Sequence, residues 1–165
     1  MGRLDNNRLD KTLAQAADMC QKNGIKLTPK RSKLLSGLLV TDRAQSAYDL
    51  IEVMKREYGE TLQPTTVYRM LDILSSENLV HKLHLSNRYI ACSHICCDHG
   101  HDVPQFFVCD GCHKVVEISV DPTMIADFSR QAAANQFVLT SPQIELHCLC
   151  QDCQSSASQP SKHMT

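Results

Sequence analysis

Four cysteines stand in two Cys-x-x-Cys pairs, Cys109/Cys112 and Cys150/Cys153. A two-residue spacer lets both thiolates of a tight turn reach one ion. Two such turns complete a tetrahedral four-sulfur shell of the kind that suits zinc. The gap from Cys112 to Cys150 exceeds the roughly 15–20 residues of a compact ribbon. It is the length needed for a strand, a helix and a strand to return the chain to the first knuckle. The spacing therefore predicts a structural zinc on these four thiols. Reduced, unliganded cysteines are the alternative, but four thiols at the two ends of one small unit argue against it. A single pair would suggest thioredoxin-like redox work, for which the surrounding βαβ pattern is missing.

A second set of donors is less regular. His81 and Cys92 flank a short predicted hairpin, and His94, Cys96, Cys97, His99 and His101 crowd the segment after it. Glu117 lies on the strand after the first knuckle. A metal held by such N, S and O donors would tie two parts of the chain together and act as a switch. Singly, each has a plainer reading. His81 and His84 alternate on a strand and could face solvent, as could Glu117, and Cys92 could be a small buried apolar group.

The elements that must position these donors differ between the halves. After residue 105, Phe106–Cys109 and Val115–Ile118 read as antiparallel strands around the first knuckle. Asp121-Pro122 starts a helix with Met124, Ile125, Phe128 and Ala132 as its apolar stripe. Phe137-Val138-Leu139 and the alternating Ile144-Glu145-Leu146-His147 read as a last strand. The unit is too small for a large core of its own, so it needs a metal, a partner subunit or both. The tail from Ser155, rich in Ser, Gln, Pro and Lys, is expected to be disordered.

The first 80 residues read as helices: one over 8–22, one opened by Thr28-Pro29, one opened by Ser46 with Asp49 and ended by Gly59, and one opened by Pro64. In the last, Val67, Met70, Leu71 and Leu74 form the buried stripe, while Thr65, Arg69 and Asp72 face away. Residues 79–84 and 88–92 then read as a hairpin around Ser86-Asn87. Short helices followed by a hairpin describe a winged helix, which lays one helix in the DNA major groove and its wing on the backbone.

The composition agrees with this division. Of 165 residues, 42% are hydrophobic and 21% charged, an ordinary globular balance. Residues 1–88 carry 14 Lys and Arg against 10 Asp and Glu, whereas residues 89–165 carry 3 against 8. Eight of the nine cysteines lie after residue 91. No stretch offers about 18 consecutive apolar residues, so no membrane partner is expected. The first residues lack the apolar core of a secretory signal, which places the chain in a reducing cytoplasm.

Taken in order, the helical half, His-rich linker, Cys-x-x-Cys, helix and Cys-x-x-Cys resemble the ferric uptake regulator family of bacterial metal-sensing repressors. The resemblance runs from about residue 9 to 153. It is carried by Leu27-Thr28-Pro29-Lys30-Arg31, Ala47-Tyr48-Asp49-Leu50, Pro64-Thr65-Thr66-Val67-Tyr68-Arg69 and the two cysteine pairs. It implies an α+β chain with four parts: a winged-helix DNA-binding domain over 1–85, a hinge over 86–95, a metal-binding α/β dimerisation domain over 96–153 and a disordered tail over 154–165. It further implies a homodimer whose metal-bound form binds an AT-rich palindromic operator in double-stranded DNA. Thr65, Thr66, Tyr68 and Arg69 would then face base edges, with Tyr48 contacting bases from the preceding helix. Arg69 is the candidate for a bidentate contact with guanine. Lys30 and Arg31 are left to phosphate contacts or helix packing.

Departures from the family pattern point to its zinc uptake regulator branch. Iron and peroxide sensors usually carry a His-His-x-His run ending three residues before the first knuckle cysteine, where this chain has Phe106. They usually have glutamate where the second wing strand ends, and here that residue is Cys92. A thiolate in place of oxygen and imidazole donors shifts a site toward zinc. Carried over by position, the regulatory ligands are His81, Cys92, a histidine before the first knuckle, and Glu117. The branch's histidine position is Asp102 in this chain, so His101 is favoured, with His99, Cys96 and Cys97 as alternates. Each subunit would hold one structural and at least one regulatory Zn2+, and the dimer would repress zinc-uptake genes.

An iron- or peroxide-responsive repressor is the alternative within the family. A rubredoxin-like electron carrier is the alternative outside it, but it leaves the N-terminal half without a task. An enzyme is not expected, because four thiolates close a zinc site and no nucleophile–base pair is evident. The roles of Cys20 and Cys148 are left open.

Overall fold

Each N-terminal helix begins where a side chain can take up its free amides. In α1 (Asn6–Lys22) the Asp5 carboxylate accepts from Arg8 N–H. In α2 (Pro29–Leu39) Thr28 caps Arg31 N–H, with Pro29 at the first position. Ser46 and Asp49 form a reciprocal capping box on α3 (Ala47–Tyr58), which Gly59 ends with a φ of 64°. Pro64 opens α4 (Pro64–Ser76) without a side-chain cap. The structure, a computed structural model, describes residues 5–95 and 103–157.

The four helices close over one core of Ala16, Leu34, Leu35, Leu38, Leu50, Met54, Val67, Leu71 and Leu74. The expected stripe of α4 is thus buried. The hairpin β1 (Val80–Leu83) and β2 (Arg88–Ala91) follows in antiparallel register, from Val80 opposite Ala91 to Leu83 opposite Arg88. Its strands are shorter than expected and its turn spans residues 84–87, with Asn87 at a φ of 50°. Gln45 pairs with Tyr89 and adds one bridge to the wing.

The C-terminal half is a three-stranded sheet of order β4-β3-β5, made of β3 (Gln105–Cys109), β4 (Val115–Ile118) and β5 (Glu145–Cys148). β4 is antiparallel to β3 and β5 is parallel to it. The parallel pairing requires a crossover, which α5 (Pro122–Ala134) supplies. α6 (Gln151–Ala157) follows the second cysteine pair. None of the described helices is long and apolar enough to cross a membrane.

Four expectations change. Residues 137–139 are not a strand. Phe137 and Val138 are 70% and 87% exposed and join none of the described strands. Residues 154–157, assigned to a disordered tail, are the end of α6. The winged helix does not stop at 85, since β2 completes its wing. Nor is 86–95 a free hinge, because β2 occupies its centre and Ile95 packs into the helical core. The link between the halves runs through 96–102, outside the described residues.

A second, smaller core joins the halves. Ala44, Leu83 and Ile90 pack with Phe106, Val108 and Val115. Beside it, Ala44 N–H donates to His113 O at 2.8 Å and Val115 N–H to Asp42 O at 2.8 Å. The wing is thereby seated on the C-terminal sheet.

Candidate metal centres and the DNA-facing helix

Cys109 ends β3, Cys112 closes the turn after it, Cys150 follows β5, and Cys153 sits in the first turn of α6. The parallel register sets Cys109 beside Cys148, so the end of β5 delivers the second pair to the first. The knuckle is tied by His113 N–H to Cys109 O at 2.9 Å and Cys109 N–H to Lys114 O at 2.8 Å, with His113 at a φ of 61°. The four sulfurs lie within 4.8 Å of one another. A Cβ on Gly111 would stand 2.8 Å from Cys153 Sγ, so only glycine leaves the second pair its place.

This donor set fits a tetrathiolate zinc. The backbone N–H of Cys150 donates to Cys109 Sγ at 3.3 Å. That amide, against the opposing effect of burial and with help from the amides of Cys112 and Gly111, brings the Cys109 thiol down to about 6. The amides around Cys109 thus favour its thiolate, the form that binds a cation. The crowd of Cys150, Cys112 and Cys109 sulfurs pushes the Cys153 thiol up to about 12. A cation relieves that crowding.

The second centre draws on both halves. His81 lies on β1, Cys92 follows β2, and Glu117 is on β4, with donor atoms within 4.8 Å of one another. Cys92 N–H bonds to Leu79 O at 2.9 Å, which prolongs the ladder and puts the thiol on the His81 face of the wing. Glu117 stands opposite Phe106 on β3, and the His81 ring lies 5.6 Å from the Phe106 ring. The position that would be histidine in an iron sensor is thus a fully buried phenyl group.

Burial pushes the Glu117 carboxyl up, but its hydrogen bonds win and hold it below its ordinary value of 4.5. Ser93 N–H and Oγ–H donate to Oε2 at 2.9 and 2.8 Å. His94 Nδ1 is 3.0 Å from Oε1, and His81 Nε2 is 3.7 Å from the same oxygen. Three donors of three kinds (imidazole, thiolate, carboxylate) therefore converge on one point, a set that fits zinc. His101, with its alternates His99, Cys96 and Cys97, lies outside the described residues. Ser93 was not assigned to the site from the sequence, and His94, named there among the candidate donors, was not carried into the ligand set. Only the position of His94, two residues after Cys92, hinted at it.

On α4, Thr65, Arg69 and Asp72 are exposed, as the spacing predicts, and so is Thr66. Tyr68 is half-buried against the helical core, so less of it is open to a ligand. Tyr48 on α3 is 63% exposed. Arg31 donates to Lys26 O at 2.8 Å, and Lys30 pairs with Glu60 at 3.4 Å, in keeping with helix packing. The wing turn, 84–87, carries no Lys or Arg. Arg88 is engaged with Asp49 at 2.9 Å and with Ala44 O at 3.1 Å. The expected placement of the wing on a DNA backbone therefore lacks a free cation at its tip.

The model of the family described as "Ferric uptake regulator family" matches residues 22–154. A zinc uptake regulation protein of Escherichia coli (strain K12) is 34% identical over 155 residues, covering 91% of this chain and 85% of that one. A zinc uptake regulation protein of Mycobacterium tuberculosis (strain ATCC 25618 / H37Rv) is 30% identical over 135 residues, covering 80% and 97%. Among solved structures, a zinc uptake regulator complexed with zinc and DNA matches with a TM-score of 0.77 and 31% identity, over 92% of this chain and 98% of its own.

Proposed function

Since the chain belongs to the ferric uptake regulator family, we propose that it is a zinc-responsive transcriptional repressor. Its homodimer, with zinc bound, binds an AT-rich palindromic operator and silences zinc-uptake genes in the cytoplasm. The observation that carries this reading is the meeting of Cys92 with His81 and Glu117 across the two halves. A thiolate in that set, and a buried Phe106 where an iron sensor would place histidine, favour zinc over iron or a peroxide response.

The winged helix through Ile95 is the DNA-binding domain, and the sheet with α5 and α6 is the dimerisation domain. α5 buries none of its residues in the single chain, and Phe128, Phe137 and Leu146 are 46%, 70% and 47% exposed. An apolar face of that size supports pairing with a second copy. Cys109, Cys112, Cys150 and Cys153 hold a structural zinc. His81, Cys92, Glu117 and a fourth donor, with His101 favoured, hold the regulatory one.

When bound, zinc supplies a dication that links the wing donors to the donor of β4. The rest follows from the residues. Glu117 is already ionised and oriented by Ser93, so it presents its charge to the wing without rearrangement. His81 and Cys92 must give up protons to donate to a cation, so the response weakens as pH falls. Fixing the wing on β4 fixes α4, which shares the helical core with the wing. A two-fold operator needs both recognition helices at one spacing. Holding the wing on β4 would therefore select one geometry and add no DNA contact.

Titration of the purified homodimer with zinc, ferrous iron or manganese, read by operator-fragment anisotropy, tests this. Operator binding should rise at the lowest free concentration for zinc. Iron acting at a lower free concentration than zinc overturns the assignment.

A further inference from the structure

The metal cluster grips one end of the wing, and a different group grips the other. Strand β1 ends at Leu83, so the amides of His84 and Leu85 fall in the turn, outside the ladder of the hairpin. Both are taken by one carboxylate of the C-terminal half. His84 N–H donates to Glu145 Oε1 at 2.6 Å and Leu85 N–H to Glu145 Oε2 at 3.2 Å. Gln143 completes the grip, because its Nε2 donates to Lys82 O and to Glu145 Oε1, each at 2.9 Å. These contacts span about sixty residues of chain and none involves a metal ligand.

We propose that Glu145 is a positioning residue that, with Gln143, clasps the wing tip and sets the free zinc concentration at which the regulator responds. This rests on the zinc-sensing reading given above. A carboxylate across two successive amides makes charge-assisted bonds in one geometry only. It therefore favours the seated wing over an undocked one, in which water takes both amides. The apolar contacts of Leu83 and Ile90 with Phe106, Val108 and Val115 lie between the clasp and the metal cluster. The Ala44–His113 and Val115–Asp42 backbone bonds also join the halves, and the clasp adds a fastening at the wing tip that limits the pivoting of the hairpin. His81 and Cys92 can meet Glu117 only when the wing is seated. Apparent zinc affinity therefore scales with the fraction of molecules seated before zinc arrives. At saturating zinc the wing is seated in either case, and operator affinity should not depend on the clasp.

The test compares wild type, Glu145→Ala, Glu145→Gln and Gln143→Ala as full-length homodimers carrying the structural zinc. Amide hydrogen exchange at His84 and Leu85 is measured with zinc bound, and operator binding is measured against buffered free zinc. Glu145→Ala should lose protection at both amides. It should also need about three- to tenfold more free zinc for half-maximal operator binding, with unchanged affinity at saturation. Glu145→Gln, which keeps one acceptor and the volume, should fall between, and Gln143→Ala should shift least. Unchanged protection in Glu145→Ala overturns the clasp. So does an unchanged zinc threshold in a wild-type background that responds to zinc, or a loss of operator affinity that persists at saturation. Should wild type itself show no zinc response, the functional reading fails, and the exchange data still decide whether the clasp exists.

Discussion

The four-cysteine cluster and the His81–Cys92–Glu117 cluster both draw on the C-terminal sheet, yet they are held by different means. Cys109, Cys112, Cys150 and Cys153 all belong to one small sheet. Their places follow from two tight turns and the pairing of β5 with β3. His81 and Cys92 belong to the wing, and Glu117 to β4, so that site exists only while a second core holds the halves together. A site within one unit adds its binding energy to that unit's folding. A site between units adds its binding energy to one arrangement of them. On the proposed reading the first is a staple and the second a switch, although both offer sulfur to the same ion.

The sharpest break between them is expected from cysteine substitution. Cys112→Ser should unfold or dissociate the C-terminal half, because zinc binding there contributes about 10 kcal/mol or more to folding. Zinc stoichiometry, thermal unfolding and sedimentation check this, and a dimeric variant of unchanged stability would contradict it. Cys92→Ser should do the opposite: keep the structural zinc, the fold and the dimer, and lose zinc-dependent operator binding. If Cys92→Ser still responds normally, the regulatory ligands lie elsewhere, with Cys96, Cys97, His99 and Cys148 next to be tested.

Arg69→Ala lies downstream of both sites. It should leave both zinc ions bound and cost about 1–3 kcal/mol of operator affinity, with relaxed sequence preference. Equal losses on operator and random DNA would assign Arg69 to the phosphate backbone. The smallest expected effect is that of acid. The folded state holds the Glu117 carboxyl below 4.5. Its contribution to seating the wing is thus fully present above 4.5 and is lost as pH falls through its lower, folded value. Thermal unfolding of wild type holding only the structural zinc, from pH 7 to 3, set against Glu117→Gln, should show this loss only in wild type. A loss centred above pH 5 would assign it to another group.

Much of this was legible in local pattern. Asp5, Thr28-Pro29, Ser46 with Asp49, and Gly59 mark helix ends because capping is settled within one turn of chain. The face of α4 was legible because helical spacing separates Val67, Met70, Leu71 and Leu74 from Thr65 and Arg69. Residues 137–139 misled because an apolar β-rich run has the composition of a strand whether or not a sheet edge awaits it. The hinge over 86–95, implied by the resemblance, overlapped the strand that the hairpin pattern itself placed over 88–92. Its Ile90 and Ile95 pack into two different cores.

The two cysteine pairs, the helix ends and the buried stripe of α4 were determined by the sequence by itself, since each depends on residues within a turn or two of one another. The tertiary structure alone decided that Glu117 faces His81 and Cys92, that Ser93 and His94 orient its carboxylate, and that Glu145 and Gln143 hold the wing turn. Those contacts join residues 23 to 61 positions apart. Such pairs are set by strand register and by the packing of Leu83 and Ile90 on Phe106. Register is a property of two segments meeting, so it is written in neither segment on its own.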